Sequence, residues 1–416
     1  MYLRRVLTIA ILVFFATELI IASGGSAYSR FGVGERHHLM SIRSIGMGGT
    51  AVALRGSNHI NIANPAAWSD LPVVQFSGSL FYESISFNDG TNTGGISTGS
   101  INSAMLALPV MPSHGMTVTL GFAPMTQIGY NIQTRRDIED GFQQIQHRGS
   151  GGITNLMIGS SYRLHRNFAV GATALYRMGI LQYEWSTQYS LPGFNSGFTQ
   201  RELDVDGIAG QFGLLYSGLL PARRENRPGP LTVGLVFLTP SKLDTDENFL
   251  ISYGIGIDTT TTRSGTIELP SMLGMGVSYQ IDQRNLISID ARYEPWEDFR
   301  RFGNPDPQLR NSLRLGFGWE RQGRYDEIGV NFWNRTTWRF GFIYNASYFN
   351  INDNPINESF VTLGMGIPLS GIAILDIGAQ IGVRGTTDNN LQRDTMVRLF
   401  FSLNMFERWF VPPVIE

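Results

Sequence analysis

The chain contains no cysteine, which excludes disulfides, thiolate metal sites and cysteine nucleophiles. Charge is scarce too. Asp, Glu, Lys and Arg make up 16% of its 416 residues, where soluble domains carry roughly 25%. The formal net charge is −2, so no electrostatic case exists for a nucleic-acid partner. Beyond the N-terminus no apolar run reaches the roughly 18 residues of a membrane helix. Histidine is sparse: His37, His38, His59, His114, His147 and His165. None of them falls in a predicted strand, so a Ser–His hydrolase is not expected. Adjacent His37 and His38 beside Glu35 lack the spacing of metal ligands. The stretch GMGGT has no following Lys-Ser/Thr and no strand–helix context, so it is not a phosphate loop. Its glycines read as tight turns or close packing. No cofactor, metal site or enzyme is expected.

What the chain has in quantity is glycine, 48 residues, and aromatics, 12%. It also opens with Arg4 and Arg5 ahead of an apolar run, Val6 to Ala22, ending in SGGSA. A basic head, apolar middle and small-residue exit make a secretory signal, so residues 1–27 are predicted to be a signal peptide. An uncleaved anchor is the lesser alternative.

Apolar and polar residues then alternate almost to the C-terminus. In RNSLRLGFGWE, Leu313, Leu315, Phe317 and Trp319 share a face opposite Arg314, Gly316, Gly318 and Glu320. In TWRFGFIYNASY, Trp338, Phe340, Phe342 and Tyr344 oppose Arg339, Gly341, Ile343 and Asn345. Period-two segments of about 10 to 14 residues suit tilted strands that cross a bilayer. A sheet in lipid must close to pair its backbone. The expected fold is therefore all-β, a transmembrane antiparallel barrel over residues 72–410 with a short tail at 411–416. Alternation marks about fourteen strands, with 127–152 and 240–264 as long outer connections. Connections 219–229 and 322–335 are long for inner turns. Phe406, Trp409 and Phe410 suit an interfacial aromatic girdle. Arg292, Glu294, Arg314, Glu320, Arg339 and Asp376 fall on the polar face. A wetted lumen is the favoured reading for most of them, a cross-lumen network the other.

Residues 28–71 precede the first strand and are rich in glycine, asparagine and small residues. In a barrel this wide something must fill the lumen or it is an open pore. The segment is predicted to be a hatch, or plug, with short helical turns. Asn64-Pro65 is one such start, since Asn caps free N–H groups and Pro at the first helical position has none to waste.

The run GMGGTAVAL, then NIANPAAW with Asn64, Pro65 and Ala66, resembles the N-terminal hatch of the FadL-type outer-membrane long-chain fatty acid transporters. LTVGLVFLTPSKL, LPSMLGMGVSY and ARYEPWEDF look like later parts of the same family. NNLQRDTMVRLFFSLNMFERWF looks like the closing strand of a divergent Bacteroidetes-like branch. The resemblance runs from about residue 28 to the C-terminus. It implies a fourteen-stranded outer-membrane barrel that takes up hydrophobic small molecules passively, with lipid as surroundings and lateral exit beside a kinked third strand. Gly121 and Pro124 in GMTVTLGFAPMTQIGY are candidates for that opening, because proline has no N–H for the ladder. A simple strand-end position is the favoured reading of Pro124. Phe31, Met47 and Trp68 are candidate ligand contacts, with Trp68 equally able to pack the hatch on the wall. The alternative is a non-transporting scaffold or docking barrel with a secretion or surface partner, like the PorV-like members.

Overall fold

The structure is a computed structural model that describes residues 25–138, 141–190, 196–218, 231–253, 258–325, 329–370 and 372–407. The predicted signal peptide up to residue 24, Trp409, Phe410 and the C-terminal tail lie outside these. Fourteen strands follow one another: β1 Val74–Asn88, β2 Thr93–Met111, β3 Met116–Pro124 resuming as Thr126–Ile138, β4 Gly141–His165, β5 Phe168–Tyr189, β6 Gly197–Ser217, β7 Leu231–Leu238 resuming as Ser241–Tyr253, β8 Asp258–Leu269 resuming as Met272–Gln280, β9 Asn285–Glu294, β10 Ser312–Arg321, β11 Thr337–Ile351, β12 Asn354–Ser370, β13 Ala373–Arg384 and β14 Arg393–Glu407. Each pairs antiparallel with the next. β14 returns to β1 in continuous register from Val74↔Glu407 to Asn88↔Arg393, which closes the barrel.

The period-two pattern sets which side faces lipid. Leu313, Leu315 and Phe317 point outward and are exposed, whereas Ser312, Arg314 and Glu320 on the same strand are buried. The same inversion of a soluble protein holds at Phe340, Phe342 and Tyr344 against Arg339 and Asn345. An apolar exterior around a polar interior is what a bilayer-spanning barrel requires. Short turns at 112–115, 166–167 and 281–284 gather at one rim. This is the inner rim, by the rule that short turns face the periplasm.

Two expectations need correcting. Residues 127–152 and 240–264 are not long loops. They form the outer halves of β3, β4, β7 and β8, so strands reach 25 residues in β4. Their alternation weakens toward the outer rim, because a wall that rises clear of lipid needs no apolar outer face. β4 also encloses His147, in this outer half, and His165, at its inner end beside the 166–167 turn; neither was expected in a strand. The 322–335 connection carries a short helix, Phe332–Arg335, capped by Asn331.

Residues 25–71 thread the lumen from outer rim to inner rim. Ser26 Oγ donates to Asp394 Oδ2 at 2.8 Å at the outer end of β14. A 3-10 turn, Ala27–Arg30, follows, then a two-residue strand, Glu35–Arg36. Helix α1, Ile42–Gly46, starts at Ser41, whose Oγ accepts from Ser44 N at 3.3 Å. Gly48 and Gly49 then turn the chain through left-handed backbone, φ 65° and 71°. A second 3-10 turn, Pro65–Asp70, leads to β1.

Candidate functional site

The Asn64-Pro65 turn is an anchor. Asn64 Oδ1 accepts from Ala66 N at 3.0 Å, and its Nδ2 donates to Val52 O at 2.6 Å and to Leu214 O of β6 at 3.3 Å. Pro65 and Ala66 are buried against the wall. Trp68 is buried beside Leu175 and Leu238, and its indole N–H donates to Asn61 O at 2.7 Å. Its ring thus packs the segment on the wall. Met47 is buried with Leu54 and Leu286. Phe31 packs at the edge of the outer apolar cluster, ring to ring with Phe349 at 6.5 Å.

The lumenal charges do not face open water, as the wetted-interior reading had it. Glu294, Glu320, Arg339 and Asp376 belong to two meshes that tie the segment to the wall, whereas Arg292 and Arg314 are buried outside them. Near the inner rim, Arg43 of α1 grips Glu320 with two bonds, 2.6 and 2.8 Å. Arg339 donates to Glu320 at 2.8 Å and to Asp376 at 2.6 Å, and His59 Nε2 meets Asp376 at 2.9 Å. At mid-height Ala51 N and Val52 N both donate to Asp290, at 2.6 and 2.7 Å. Near the outer rim, Glu35 accepts from Arg398 at 2.6 Å and pairs with Arg384 at 2.9 Å, while Arg36 bonds Glu294. Burial raises the Glu35 carboxyl, but Arg384 and Arg398 outweigh it and hold it at about 2. Burial pushes His37 down to about 4 despite Glu35 beside it.

The wall itself is incomplete at one place. β2 pairs with β3 only from Ala104↔Phe122 down to Met111↔Met116. Its outer half, Thr93 to Ser103, pairs with β1 alone. β3 breaks after Pro124. Four steps on β3, from Pro124 to Ile128, match three on β4, from Thr154 to Gly151, which is a bulge. Above the break, the free edge of β3 is taken by the N-terminal segment: Arg36 pairs with Thr126, Glu35 with Gln127, and His37 N donates to Met125 O at 2.8 Å. Gln127 Nε2 reaches across to Thr98 Oγ1 of β2 at 3.5 Å. The seam stands level with Leu80 and Tyr82 of β1, both exposed on the outer face.

A cavity of ≈ 80 Å³ lies behind this seam. Thr98 and Asn102 of β2 and Gln127 of β3 line it at the seam, Phe81 of β1 and Phe400 of β14 line the neighbouring wall, and Phe360 of β12 lines it further round. Arg314 also faces it. Arg314 is buried, makes no ion pair among the described residues, and donates to a methionine sulfur, Met40 Sδ, at 3.7 Å. Phe31, Met47 and Trp68 do not line the cavity, though Phe31's partner Phe349 does. Sequence reading weighed Glu35 only as a neighbour of His37 and His38, gave Arg384 no role, and passed over Glu83, Asp290, Glu358 and Arg398. The wall members of that set sit in the inward phase of their strands, so period two flags them. Their partners on an aperiodic segment carry no such signal.

Closed, fourteen-stranded, filled by its own N-terminal segment and broken at β3, this is a barrel of the FadL-like fold. The toluene transporter TbuX of Ralstonia pickettii superposes with a TM-score of 0.61 at 16% identity, over 88% of this chain and 98% of that one. A Pseudomonas aeruginosa FadL homologue gives 0.58 at 15%, over 89% and 98%. The Pseudomonas putida toluene transporter TodX gives 0.58 at 16%, over 88% and 98%. At such identities the likeness is one of fold. No curated protein matches the chain in sequence. The BamG family model matches residues 2–415, and the chain belongs to the BamG family.

Proposed function

We propose that this chain is an integral outer-membrane channel for passive uptake of a hydrophobic small molecule, with residues 28–71 as its plug and the β2–β3 seam as its lateral exit. The observation that carries this reading is the cavity behind the seam. It lies level with lipid-facing side chains, is floored by Phe81, Phe360 and Phe400, and is closed by a two-residue strand rather than by a full ladder. The break after Pro124 supports that position as the hinge of the opening, with Gly121 in the paired part below it. Arg314, buried without a carboxylate partner among the described residues, is the group on which the head of a long-chain fatty acid would seat, since an isolated buried guanidinium is costly. Of the expected ligand contacts, Phe31 acts through Phe349, while Met47 and Trp68 hold the plug. The resemblance of the closing-strand phrase supports a Bacteroidetes-like branch as part of the same proposal.

A second reading has its own support. The two ion-pair meshes fix the segment so thoroughly that the lumen can stay shut, which suits a docking component of a secretion or surface assembly. Native mass spectrometry of detergent-extracted protein separates the two. A co-purifying hydrophobic acid that Arg314→Gln loosens supports the channel. An empty barrel with a stoichiometric protein partner supports the scaffold.

A further inference from the structure

The connection from β10 to β11 places large aromatic side chains on the barrel's exterior. Its helix Phe332–Arg335 holds Phe332 and Trp333 at 52% and 65% exposure. Nothing in the lumen calls for them. The helix is nonetheless fixed in place. Asn331 caps it by accepting from Asn334 N at 3.0 Å, Thr336 Oγ1 donates to Phe332 O at 2.9 Å, and Arg324 N donates to Asn334 O at 2.9 Å. Trp333 stacks on Trp338 with ring centres 5.6 Å apart and planes 18° apart, and the Trp338 indole N–H donates to Trp333 O at 3.2 Å.

Trp338 fixes where this helix lies. It begins the outward row Trp338, Phe340, Phe342, Tyr344 on β11. Its partner across the ladder is Arg321, which ends the outward row Leu313, Leu315, Phe317, Trp319, Arg321 on β10. A lipid-facing row that ends in an exposed arginine marks the passage from hydrocarbon to phosphate. The helix is folded back against the wall at that level. The inner rim carries exposed apolar residues elsewhere too, Leu164 at the end of β4 and Ile281 in the turn after β8 among them, so the rim sits at the lipid boundary.

We propose that Phe332–Arg335 is an interfacial anchor, seated in the headgroup layer of the leaflet at the inner rim, with Phe332 and Trp333 inserted and Arg321 on lipid phosphate. Tryptophan suits this layer because its ring is apolar and its N–H is polar. The surface is continuous with the lipid-facing wall, and this continuity selects lipid over a protein partner. The anchor would fix the depth and tilt of the barrel independently of what the lumen does.

The absence of cysteine makes the test clean. Full-length Phe332→Cys, spin-labelled, is reconstituted in nanodiscs of phosphatidylethanolamine and phosphatidylglycerol. Oxygen should relax the label more strongly than a water-soluble nickel chelate. As a second readout, brominated lipid should quench wild-type tryptophan emission more than that of Trp333→Phe. A label dominated by the nickel chelate, with no quenching difference, overturns the proposal. A label shielded from both reagents by a co-purified protein overturns it as well, in favour of a protein docking surface.

Discussion

Gly171 of β5 and Gly213 of β6 are cross-strand partners, and Asn64-Pro65 rests on the bare patch they leave. A Cβ on Gly213 would sit 2.0 Å from Asn64 Oδ1, and one on Gly171 would sit 2.4 Å from Pro65 C. The wall is thus shaped for the turn. Gly213→Val is expected to leave the barrel folded and to unseat the turn. Hydrogen exchange of residues 60–71 should rise, while that of β10 to β12 stays unchanged.

Arg339 bridges Glu320 and Asp376, and both acids also hold the segment through Arg43 and His59. Removing one partner of a buried pair costs about 3–5 kcal/mol. Arg339→Gln is expected to lower unfolding free energy by that order. The measurement is urea unfolding in detergent, read by the heat-modifiable shift of barrels on gels. An unchanged midpoint would show that the mesh contributes nothing net.

Acid should loosen the outer part of the segment in two stages. His37 has its value lowered to about 4 by burial, against an ordinary value of about 6.5. Between these the unfolded segment takes up a proton that the seated one refuses, so stability falls as pH drops through this window and levels off below it. Glu35, held at about 2 from an ordinary 4.5, keeps its contribution until pH falls below that ordinary value and loses it toward the lower one. Exchange protection of residues 33–40, followed from pH 7 to 4, should fall in the first window. His37→Gln should flatten that fall.

Deleting residues 28–71 is expected to leave a barrel that inserts and leaks small solutes in planar bilayers. The intact chain should conduct far less. Equal conductance would mean that the segment does not close the lumen.

How much of this could be read from sequence follows from period. Strands in contact with lipid must alternate, so the count of fourteen was legible, as was the inward phase of Arg314, Glu320, Arg339 and Asp376. Above the lipid, constraint relaxes, and the outer halves of β3, β4, β7 and β8 read as loops. Asn64-Pro65 announced a capped turn because capping chemistry is local. Partners such as Glu35 with Arg398 are 363 residues apart and set by the path of an aperiodic segment, which no spacing reveals. The seam was legible only in part: Pro124 was read first as a strand end and only second as a break, and nothing in the sequence says that Glu35 and Arg36 pair beside it.

The most direct test of the account locks that seam. Glu35→Cys with Gln127→Cys, on paired positions of a cysteine-free chain, should oxidise to a bond that holds the two-residue strand on β3. In proteoliposomes the locked protein is predicted to stop uptake of a fluorescent fatty acid, and reductant should restore it. Uptake that runs equally fast in the locked and reduced states would contradict lateral passage at this seam.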